Sequence, residues 1–454
     1  MPAAPVFGLS REWLLHRGRP IAAATVLSHP EQLARLTDAC PEAAATAVLG
    51  GDPCYDRMLA ALPDRERFRR ALGVGPDQRL ILVNSTWGPR SLLGDGAADP
   101  LPALLPRLAA ELPLDEYRTA AVLHPNIWYG HGPGQVRAWL DRAGRAGLTL
   151  VPPLAGWRQA LIAADCVIGD HGSVTFYAAA LGTPVLLGAF PEGDLDPDSP
   201  VAALGRTAPR LDPRRGLRHQ LDQVMAGHDP RRYADITAAT SSDPGRSATL
   251  LRRLCYRLIG IPEPVDPALL DRLPLPEFEP ARPSVPIRVL TRLIGAGRGE
   301  PPGIAVTRYA DADQDPEPDE ELSAAHTVVP EDTRDPGRLS LADVIVGRGA
   351  ADDPRWGPPG AWAAEVLDRH RHCALAVHTA GPDSCTVRTR AGLTVRLTAA
   401  PDADGRPALC DPAAYASALY AWLSQGKDPA ELMATGMTVH TGRARYRVAV
   451  RSAG

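Results

Sequence analysis

The segment AADCVIGDHGSVTFYAAALGTPVLLG, residues 163–188, decides the fold class. Its apolar run ends at Ile168, and Gly172 then permits a tight turn because it has no side chain. Ser173 stands where an N-cap would begin a helix over Val174–Leu181. An apolar strand that leads through a glycine turn into a helix is typical of nucleotide-binding α/β domains.

The helix predicted after this turn offers a place for an anion. Its first backbone N–H groups have no partner inside the helix, and the helix dipole is positive at that end. A diphosphate is the natural occupant, with Asp170 and His171 beside it. The other interpretation is structural: Ser173 caps the helix and Asp170 ends the strand. Spacing alone leaves both interpretations open.

The flanking sequence alternates short apolar runs with helical segments, which predicts βαβ units and a parallel sheet. The apolar runs are RLILVN (79–84), YRTAAVLH (117–124), LTLVPP (148–153), DCVIGD (165–170) and TPVLLG (183–188). Helices are predicted at Leu101–Leu112, Gln135–Ala146, Trp157–Ala164 and Val174–Leu181. The expected fold is an α/β, doubly wound, parallel Rossmann-like sheet whose ligand lies at the carboxyl ends of the strands.

Composition divides the chain into four parts. The predicted parts are a strand–helix–strand passage over 1–50, the nucleotide-binding Rossmann-like domain over 51–260, a linker over 261–338, and a small α+β domain over 339–454. The linker is predicted because prolines and the acidic run DADQDPEPDEE (311–321) bury little apolar surface, with short ordered pieces at Val285–Ile294 and Gly303–Tyr309. The last part has no recognisable chemistry.

Bulk properties exclude several classes of protein. The 454 residues have a net charge of −4 and no basic stripe with interleaved aromatic residues, so no nucleic-acid partner is expected. Seven cysteines without a CxxC pair predict neither a zinc site nor a disulfide framework. We see no signal peptide and no apolar stretch long enough to span a membrane, so a cytoplasmic protein is expected.

Polar and aromatic residues follow two further predicted strands. His124, before Pro125 and Asn126, ends one strand, where its imidazole can donate to a phosphate oxygen or exchange a proton. The alternative is that His124 only forms hydrogen bonds with backbone groups at the end of the strand. Thr86 and Trp87 follow the first strand and offer a hydroxyl and a wall, although Trp87 also fits a plain core position. Residues 126–132 are predicted to form a loop.

These segments resemble a family. The late motif "aD.lItDySSv.fe...l.kPvi" of the CDP-glycerol:poly(glycerophosphate) glycerophosphotransferases is matched by Ala164, Asp165, Ile168, Asp170, Ser173, Val174, Phe176, Leu181, Pro184 and Val185. His171 stands where the family has tyrosine, and Gly172 where it has the first serine.

Three more family motifs are matched in the same order along the chain. They are GDPCYD (51–56) for "G.PR.D", VNSTWG (83–88) for "yaPTWR" and LHPN (123–126) for "HP". Cys54 and Gly88 replace the two arginines of these motifs, and a guanidinium is hard to replace in phosphate binding. The resemblance spans Gly51 to about Pro191, which is less than a third of the chain.

The resemblance implies the C-terminal lobe of a glycosyltransferase-B-type transferase. Such an enzyme passes glycerol phosphate or a sugar from a cytidine or uridine diphosphate donor to a hydroxyl acceptor in cell-envelope polymer synthesis. It uses no cofactor and no metal, and it works at the cytoplasmic face of the inner membrane, in peripheral association. The residues expected to contact the nucleotide-linked donor are Thr86, Trp87, His124, Asn126, Asp170, His171, Gly172 and Ser173, with His124 as the catalytic candidate.

A two-lobed transferase also needs an N-terminal lobe, of which residues 1–50 are predicted to be a remnant. The chain is then truncated, or a partner supplies the lobe, or catalysis has been lost. The main alternative is a non-catalytic protein that senses a nucleotide-linked metabolite through the degenerate pocket. A further alternative is an interaction module centred on residues 339–454.

Overall fold

The computed structural model describes residues 8–94, 101–295, 300–311, 324–350, 357–401, 405 and 410–453, and of residues 101–103 the backbone alone. The elements before the parallel sheet are α1 (Arg11–Leu14), β1 (Leu15–His16), β2 (Arg19–Pro20), β3 (Thr25–Leu27), α2 (Pro30–Ala39), α3 (Pro41–Ala44), β4 (Ala47–Leu49), α4 (Pro53–Ala61) and α5 (Arg65–Ala71). Those of the sheet and its crossovers are β5 (Arg79–Ser85), α6 (Leu101–Glu111), β6 (Tyr117–Leu123), α7 (Pro125–His131), α8 (Pro133–Arg145), β7 (Thr149–Leu150), α9 (Trp157–Ala163), β8 (Cys166–Gly169), α10 (Ser173–Ala180) and β9 (Val185–Leu187).

The remaining elements complete the first domain and build a second one. They are α11 (Pro200–Thr207), α12 (Leu217–Ala226), α13 (Ala234–Thr237), α14 (Ser247–Ile259), β10 (Ile287–Ile294), β11 (Gly303–Tyr309), β12 (Ala324–Pro330), α15 (Pro336–Leu339), β13 (Val344–Arg348), α16 (Pro359–Arg369), β14 (Leu375–Thr379), β15 (Ser384–Thr389), β16 (Thr394–Ala399), α17 (Ala413–Ser424), α18 (Pro429–Thr435), β17 (Met437–Thr441) and β18 (Ala444–Ser452).

The first domain has the predicted α/β architecture. Five parallel strands lie in the order β7-β6-β5-β8-β9, and each overlaps the apolar run from which it was predicted. Strand β5 is buried on both faces, because Leu80 and Leu82 pack into one core while Ile81 and Val83 pack into the other. Near-continuous apolar strands are expected when helices cover both sides of a parallel sheet.

The strand–helix–strand passage in the first fifty residues is also present. Strands β3 and β4 pair in parallel, and α2 connects them. The passage has a small core of its own around Leu36, which is fully buried.

The second domain corrects the predicted linker and the predicted α+β domain. Nine strands close a barrel in the order β10-β11-β17-β18-β16-β15-β14-β13-β12, so the domain begins at Ile287 and not near residue 339. Three of its strands lie in the supposed linker, and the two short ordered pieces expected there are β10 and β11. In β10 buried and partly exposed residues alternate, and the prolines and arginines around it hid this pattern. Apart from Asp311, the acidic run lies outside the described residues.

Helix α17 fills the centre of the barrel domain. It contacts β10, β11, β14, β15 and β17, and nine of its residues are buried on all sides. A helix that is buried on every face must be apolar all round. Its many alanines let the surrounding strands approach closely, and Tyr415 and Trp422 supply the bulk.

A buried ion pair joins the two domains. Arg308 of β11 donates to both carboxylate oxygens of Asp115, at 2.9 and 2.6 Å, and to Asp411 at 3.0 Å. Burial by itself lowers the pKa of Arg308, but the charges of Asp115 and Asp411 outweigh it and raise that pKa above its ordinary value. The backbone adds a bond at the same place, because Leu114 N–H donates to Arg308 O at 2.8 Å.

We expect Arg308→Met to destabilise the folded chain strongly. The substitution leaves the carboxylates of Asp115 and Asp411 without their shared guanidinium, and breaking a buried pair typically costs about 3–5 kcal/mol. Denaturant unfolding measures the change. The matched control is Arg246→Met at an exposed ion pair, for which about 0.5 kcal/mol or less is expected. A loss below about 1 kcal/mol in Arg308→Met would show that the junction depends on other contacts.

A buried histidine makes the stability of the barrel domain depend on pH. His326 is 4% exposed, and neither of its ring nitrogens has a hydrogen-bond partner in the described part of the chain. Burial lowers its pKa to about 3 from an ordinary value of 6.5. Between these values the unfolded chain binds a proton that the folded chain does not, so stability falls as pH decreases.

We therefore expect unfolding free energy to fall by up to about 1.4 kcal/mol per pH unit below 6.5 through this one group. In His326→Leu that contribution disappears, whereas stability at pH 7 changes little because no hydrogen bond is lost. Urea titrations at several pH values compare the two proteins. Identical pH profiles for both would contradict the assignment.

Candidate functional site

The carboxyl ends of β5, β6 and β8 form one edge of the sheet. Strand β5 pairs with β6 on one side and β8 on the other, so the strand order reverses between β5 and β8. Ligands of doubly wound sheets bind outside this reversal point. Thr86 follows β5, His124 follows β6, and Asp170 follows β8.

Asp170 ties this edge together. Its carboxylate is 1% exposed and accepts bonds from the backbone N–H groups of Thr86 and Leu92, both at 2.9 Å, and of Gly172 at 3.0 Å. The hydroxyl of Ser85 adds a longer bond of 3.3 Å. Both oxygens are therefore used to fold the segment after β5 onto the end of β8, which makes Asp170 a positioning residue in this structure.

Gly172, and not Ser173, is the N-cap of α10. Its backbone is extended, and no side chain caps the helix. A Cβ atom at Gly172 would lie 2.9 Å from Thr86 Cβ, so the close approach of the two loops requires glycine. Ser173 is the first helical residue and is exposed, and its hydroxyl makes no hydrogen bond to any described residue. The expectation that Ser173 caps the helix was wrong, because the chain enters the helix one residue earlier.

His124 is a helix cap. The predicted loop over residues 126–132 is mostly helical, since α7 covers Pro125–His131 and Pro125 fits its first position. His124 Nδ1 accepts the backbone N–H of Asn126 at 3.1 Å. This bond assigns the proton of the neutral ring to Nε2. Burial lowers the pKa of His124, and the nearby charge of Asp170 offsets part of that effect.

Trp87 and Asn126 lie beside His124. Trp87 is 46% exposed, and its ring centre lies 6.3 Å from that of His124. Trp87 is therefore not a core residue. It lies at the surface and lines the crevice outside the carboxyl ends of β5, β6 and β8, which we call the donor crevice. Asn126 is exposed on the same side, and both Trp87 and Asn126 line a neighbouring cavity of about 1310 Å³.

His171 lies at the other side of the crevice. Its ring packs edge-on against Phe190 with the centres 6.4 Å apart, and its buried Nδ1 has no hydrogen-bond partner among the described residues. Burial lowers the pKa of His171, the charge of Asp170 opposes this, and the charge of Arg90 adds to it.

The sequence analysis missed Arg90, whose guanidinium charge lowers the pKa of His171. Arg90 has a 62% exposed side chain and pairs with Asp194. It follows Gly88, which occupies an arginine position of the family motif, by two residues. That short distance in sequence is the only signal that could have drawn attention to it.

The structure thus brings Thr86, Asp170 and Gly172 into direct contact and places Trp87 beside His124. No group of three or more potential metal ligands occurs among the residues that the structure describes. In the same part of the chain, every helix is too short or too polar to cross a membrane.

Comparisons with known proteins give distant structural similarities. The chain matches no family model and no curated protein. Among solved structures, the wall teichoic acid polymerase TagF is 15% identical over 52% of this chain and 58% of its own, with a TM-score of 0.37. A glycosyltransferase from Rickettsia africae ESF-5 is 12% identical over 54% of this chain and 64% of its own, with a TM-score of 0.31. Anabaena Alr3699/HepE, solved with UDP and glucose, is 16% identical over 53% of this chain and 64% of its own, with a TM-score of 0.29.

The chain therefore spans 58 to 64% of the length of these proteins.

We expect Asp170→Asn to destabilise the first domain by about 1–3 kcal/mol. In asparagine an NH₂ group replaces one of the two acceptor oxygens. This donor then faces either the backbone N–H groups of Thr86 and Leu92 or that of Gly172, which are donors themselves. Thermal and urea unfolding measure the change, with Asp235→Asn on an exposed helix as the matched control. An unaltered stability would mean that the carboxylate does not hold the two loops together.

Proposed function

We propose that the crevice at the start of α10 binds the diphosphate of a nucleotide-linked donor. The observation that carries the proposal is the start of α10, which has no side-chain cap and whose first residue, Ser173, is exposed. The first N–H groups of a helix need partners, and the helix dipole favours an anion there. The match of this segment to the glycerophosphotransferase motif supports the same assignment.

The neighbouring side chains complement such a ligand. The Nε2–H of His124 is available to a phosphate oxygen because Nδ1 is occupied by the backbone of Asn126. Arg90 brings a positive charge to the His171 side of the crevice. Trp87 offers an exposed aromatic face for the donor. Thr86, Asp170 and Gly172 hold the crevice in shape through the contacts between their loops.

We propose further that the donor is a cytidine or uridine diphosphate compound and that the reaction transfers glycerol phosphate or a sugar to a hydroxyl. In the glycerol phosphate case the acceptor oxygen attacks the β-phosphorus, a new P–O bond forms, and the bond to the nucleoside monophosphate breaks. A base takes the acceptor proton, while Ser173 and His124 stabilise charge on the phosphates. His124 acts here as a hydrogen-bond donor, because Nδ1 is already engaged.

We propose, on the basis of the resemblance, that this reaction belongs to cell-envelope polymer synthesis at the cytoplasmic face of the membrane. A second candidate is a nucleotide-metabolite-binding protein without catalysis. It is favoured because two of the candidate bases are already engaged: the carboxylate of Asp170 is fully hydrogen-bonded, and Nδ1 of His124 caps a helix.

We expect the full chain to bind CDP-glycerol, CDP, UDP or a UDP-sugar in calorimetry, and His124→Ala and Ser173→Ala each to weaken that binding tenfold or more. A lost hydrogen bond to a charged phosphate costs roughly 1.5–3 kcal/mol, which corresponds to such a factor. The matched controls are His219→Ala and Ser242→Ala, whose side chains are exposed outside the crevice. Circular dichroism checks that all four variants keep the fold.

No binding from the whole panel at millimolar concentration would refute the donor site. Equal affinity in His124→Ala, Ser173→Ala and their controls would refute these two contacts. Release of CMP or of a nucleoside diphosphate in the presence of glycerol-containing or sugar acceptors separates the two candidates. Tight binding without any release favours the non-catalytic protein.

A further inference from the structure

A large cavity lies between the two domains, beside the proposed donor crevice. Its volume is about 1310 Å³, above the usual range of roughly 300–1,000 Å³ for small-molecule sites. Helices α6 and α8 form one wall, and the segments around Val285 and Thr333 from the barrel side form the other. Of the proposed donor residues, Trp87 and Asn126 line it, whereas His124 and Ser173 do not.

The walls of this cavity are apolar. Leu93, Leu105, Ile127 and Ala143 pack against the core of the first domain but remain partly exposed, and all four line the cavity. Water in contact with such walls is unfavourable, and a concave apolar surface of this kind marks a ligand site.

The cavity is elongated. Its lining follows α8 from Val136 to Arg145, a length of about 14 Å at the rise of an α-helix. A small pocket of about 20 Å³ between α6, β6 and the end of α8 adjoins it and shares Leu105, Ala109, Ala143 and Ala146 with it. An apolar lining of this length can accommodate a flexible hydrocarbon chain.

Arginines and carboxylates lie together at the barrel end of the cavity, which is lined by Arg142, Arg145, Arg334 and Arg338 and by Asp311 and Asp335. Arg145 donates to Asp141 at 3.0 Å, and Arg334 donates to both oxygens of the same carboxylate at 3.1 Å, so two guanidinium groups share one negative charge. Arg142 adds a third, 74% exposed side chain, 3.8 Å from Asp311. Guanidinium groups recognise phosphate and carboxylate heads through paired hydrogen bonds.

We propose that this cavity binds the hydrocarbon chain of an anionic amphiphile, whose head group meets Arg142, Arg145 and Arg334. The hydrocarbon chain of the ligand lies between α6 and α8, and its head group emerges where the barrel domain contacts α8. The proposal does not rest on the proposed donor site, because neither Ser173 nor His124 lines the cavity, although the two sites share Trp87 and Asn126.

The test uses the full chain and alkyl phosphates below their micellar concentration. We expect dodecyl phosphate to bind saturably with one molecule per chain, octyl phosphate to bind more weakly, and inorganic phosphate not to bind. Each buried methylene contributes about 0.8 kcal/mol, so affinity should rise steeply with chain length. A brominated fatty acid should quench tryptophan fluorescence, and Trp139→Phe should reduce the quenching because Trp139 lines the cavity.

Two pairs of variants locate the ligand. Ala143→Trp fills the cavity and is expected to weaken dodecyl phosphate binding at least tenfold, whereas Ala234→Trp on an exposed helix leaves it unchanged. Arg142→Gln is expected to weaken binding several-fold, whereas Arg231→Gln, also exposed, has no effect. Arg142 is largely exposed, so its variant reports on binding even if Ala143→Trp does not fold.

Several results would overturn the proposal. They are the absence of saturable binding, equal binding by Ala143→Trp and Ala234→Trp, and equal binding by Arg142→Gln and Arg231→Gln. Equal affinity for dodecanol would overturn the role of the arginines. Vesicles of neutral and of anionic lipid distinguish the sources of the amphiphile. If the protein sediments with anionic vesicles but binds no monomeric alkyl phosphate, it attaches to the membrane surface, and the cavity site is refuted.

Discussion

The carboxylate of Asp170 determines the shape of the sheet edge on which every candidate site residue stands. A buried carboxylate is tolerated only when its oxygens are satisfied, and here three backbone N–H groups and one hydroxyl satisfy them. These donors come from the loop after β5 and from the start of α10, so one side chain sets the distance between two loops. Gly172 is part of the same constraint, because any side chain there would collide with Thr86. Residues that match a ligand-binding motif can thus serve the ligand indirectly, by fixing the backbone that meets it.

A second constraint joins the domains through charge. Arg308 is buried at the junction and is held by carboxylates from both sides, Asp115 of the first domain and Asp411 of the second. Such a pair is costly to desolvate and tolerates little displacement, so it favours one relative placement of the two domains. The cavity between them has walls from both domains and depends on that placement. Its apolar lining is therefore a property of the assembled chain and not of either domain alone.

The sequence predicted the parallel sheet well and the second domain poorly, for physical reasons. The five strands of the sheet are buried on both faces and appear as uninterrupted apolar runs such as RLILVN. Strand β10 has one face toward the barrel core, and Arg288 and Arg292 on its other face, together with nearby prolines, resemble a linker in composition. Closure of the barrel also depends on pairs far apart in sequence, such as β11 with β17, which no local pattern reveals. At the site, the strand pattern predicted that Thr86, His124 and Asp170 each follow a strand of the sheet, but hydrogen bonding such as that of Asp170 could not be read from spacing, and the ligand contacts stay a prediction.

The two helices that begin at this edge differ in a way that bears on function. Helix α7 begins with a complete cap, because His124 accepts the N–H of Asn126 and Pro125 has no N–H to satisfy. Helix α10 begins without a side-chain cap and with an exposed serine. An uncapped helix start normally costs stability, since a suitable capping side chain contributes about 1 kcal/mol. Asp170, two residues earlier, takes the N–H of Gly172 and leaves the following N–H groups to water or to a ligand. The difference leaves backbone N–H groups unsatisfied at α10 and not at α7, and for this reason the proposed diphosphate site is assigned to the start of α10.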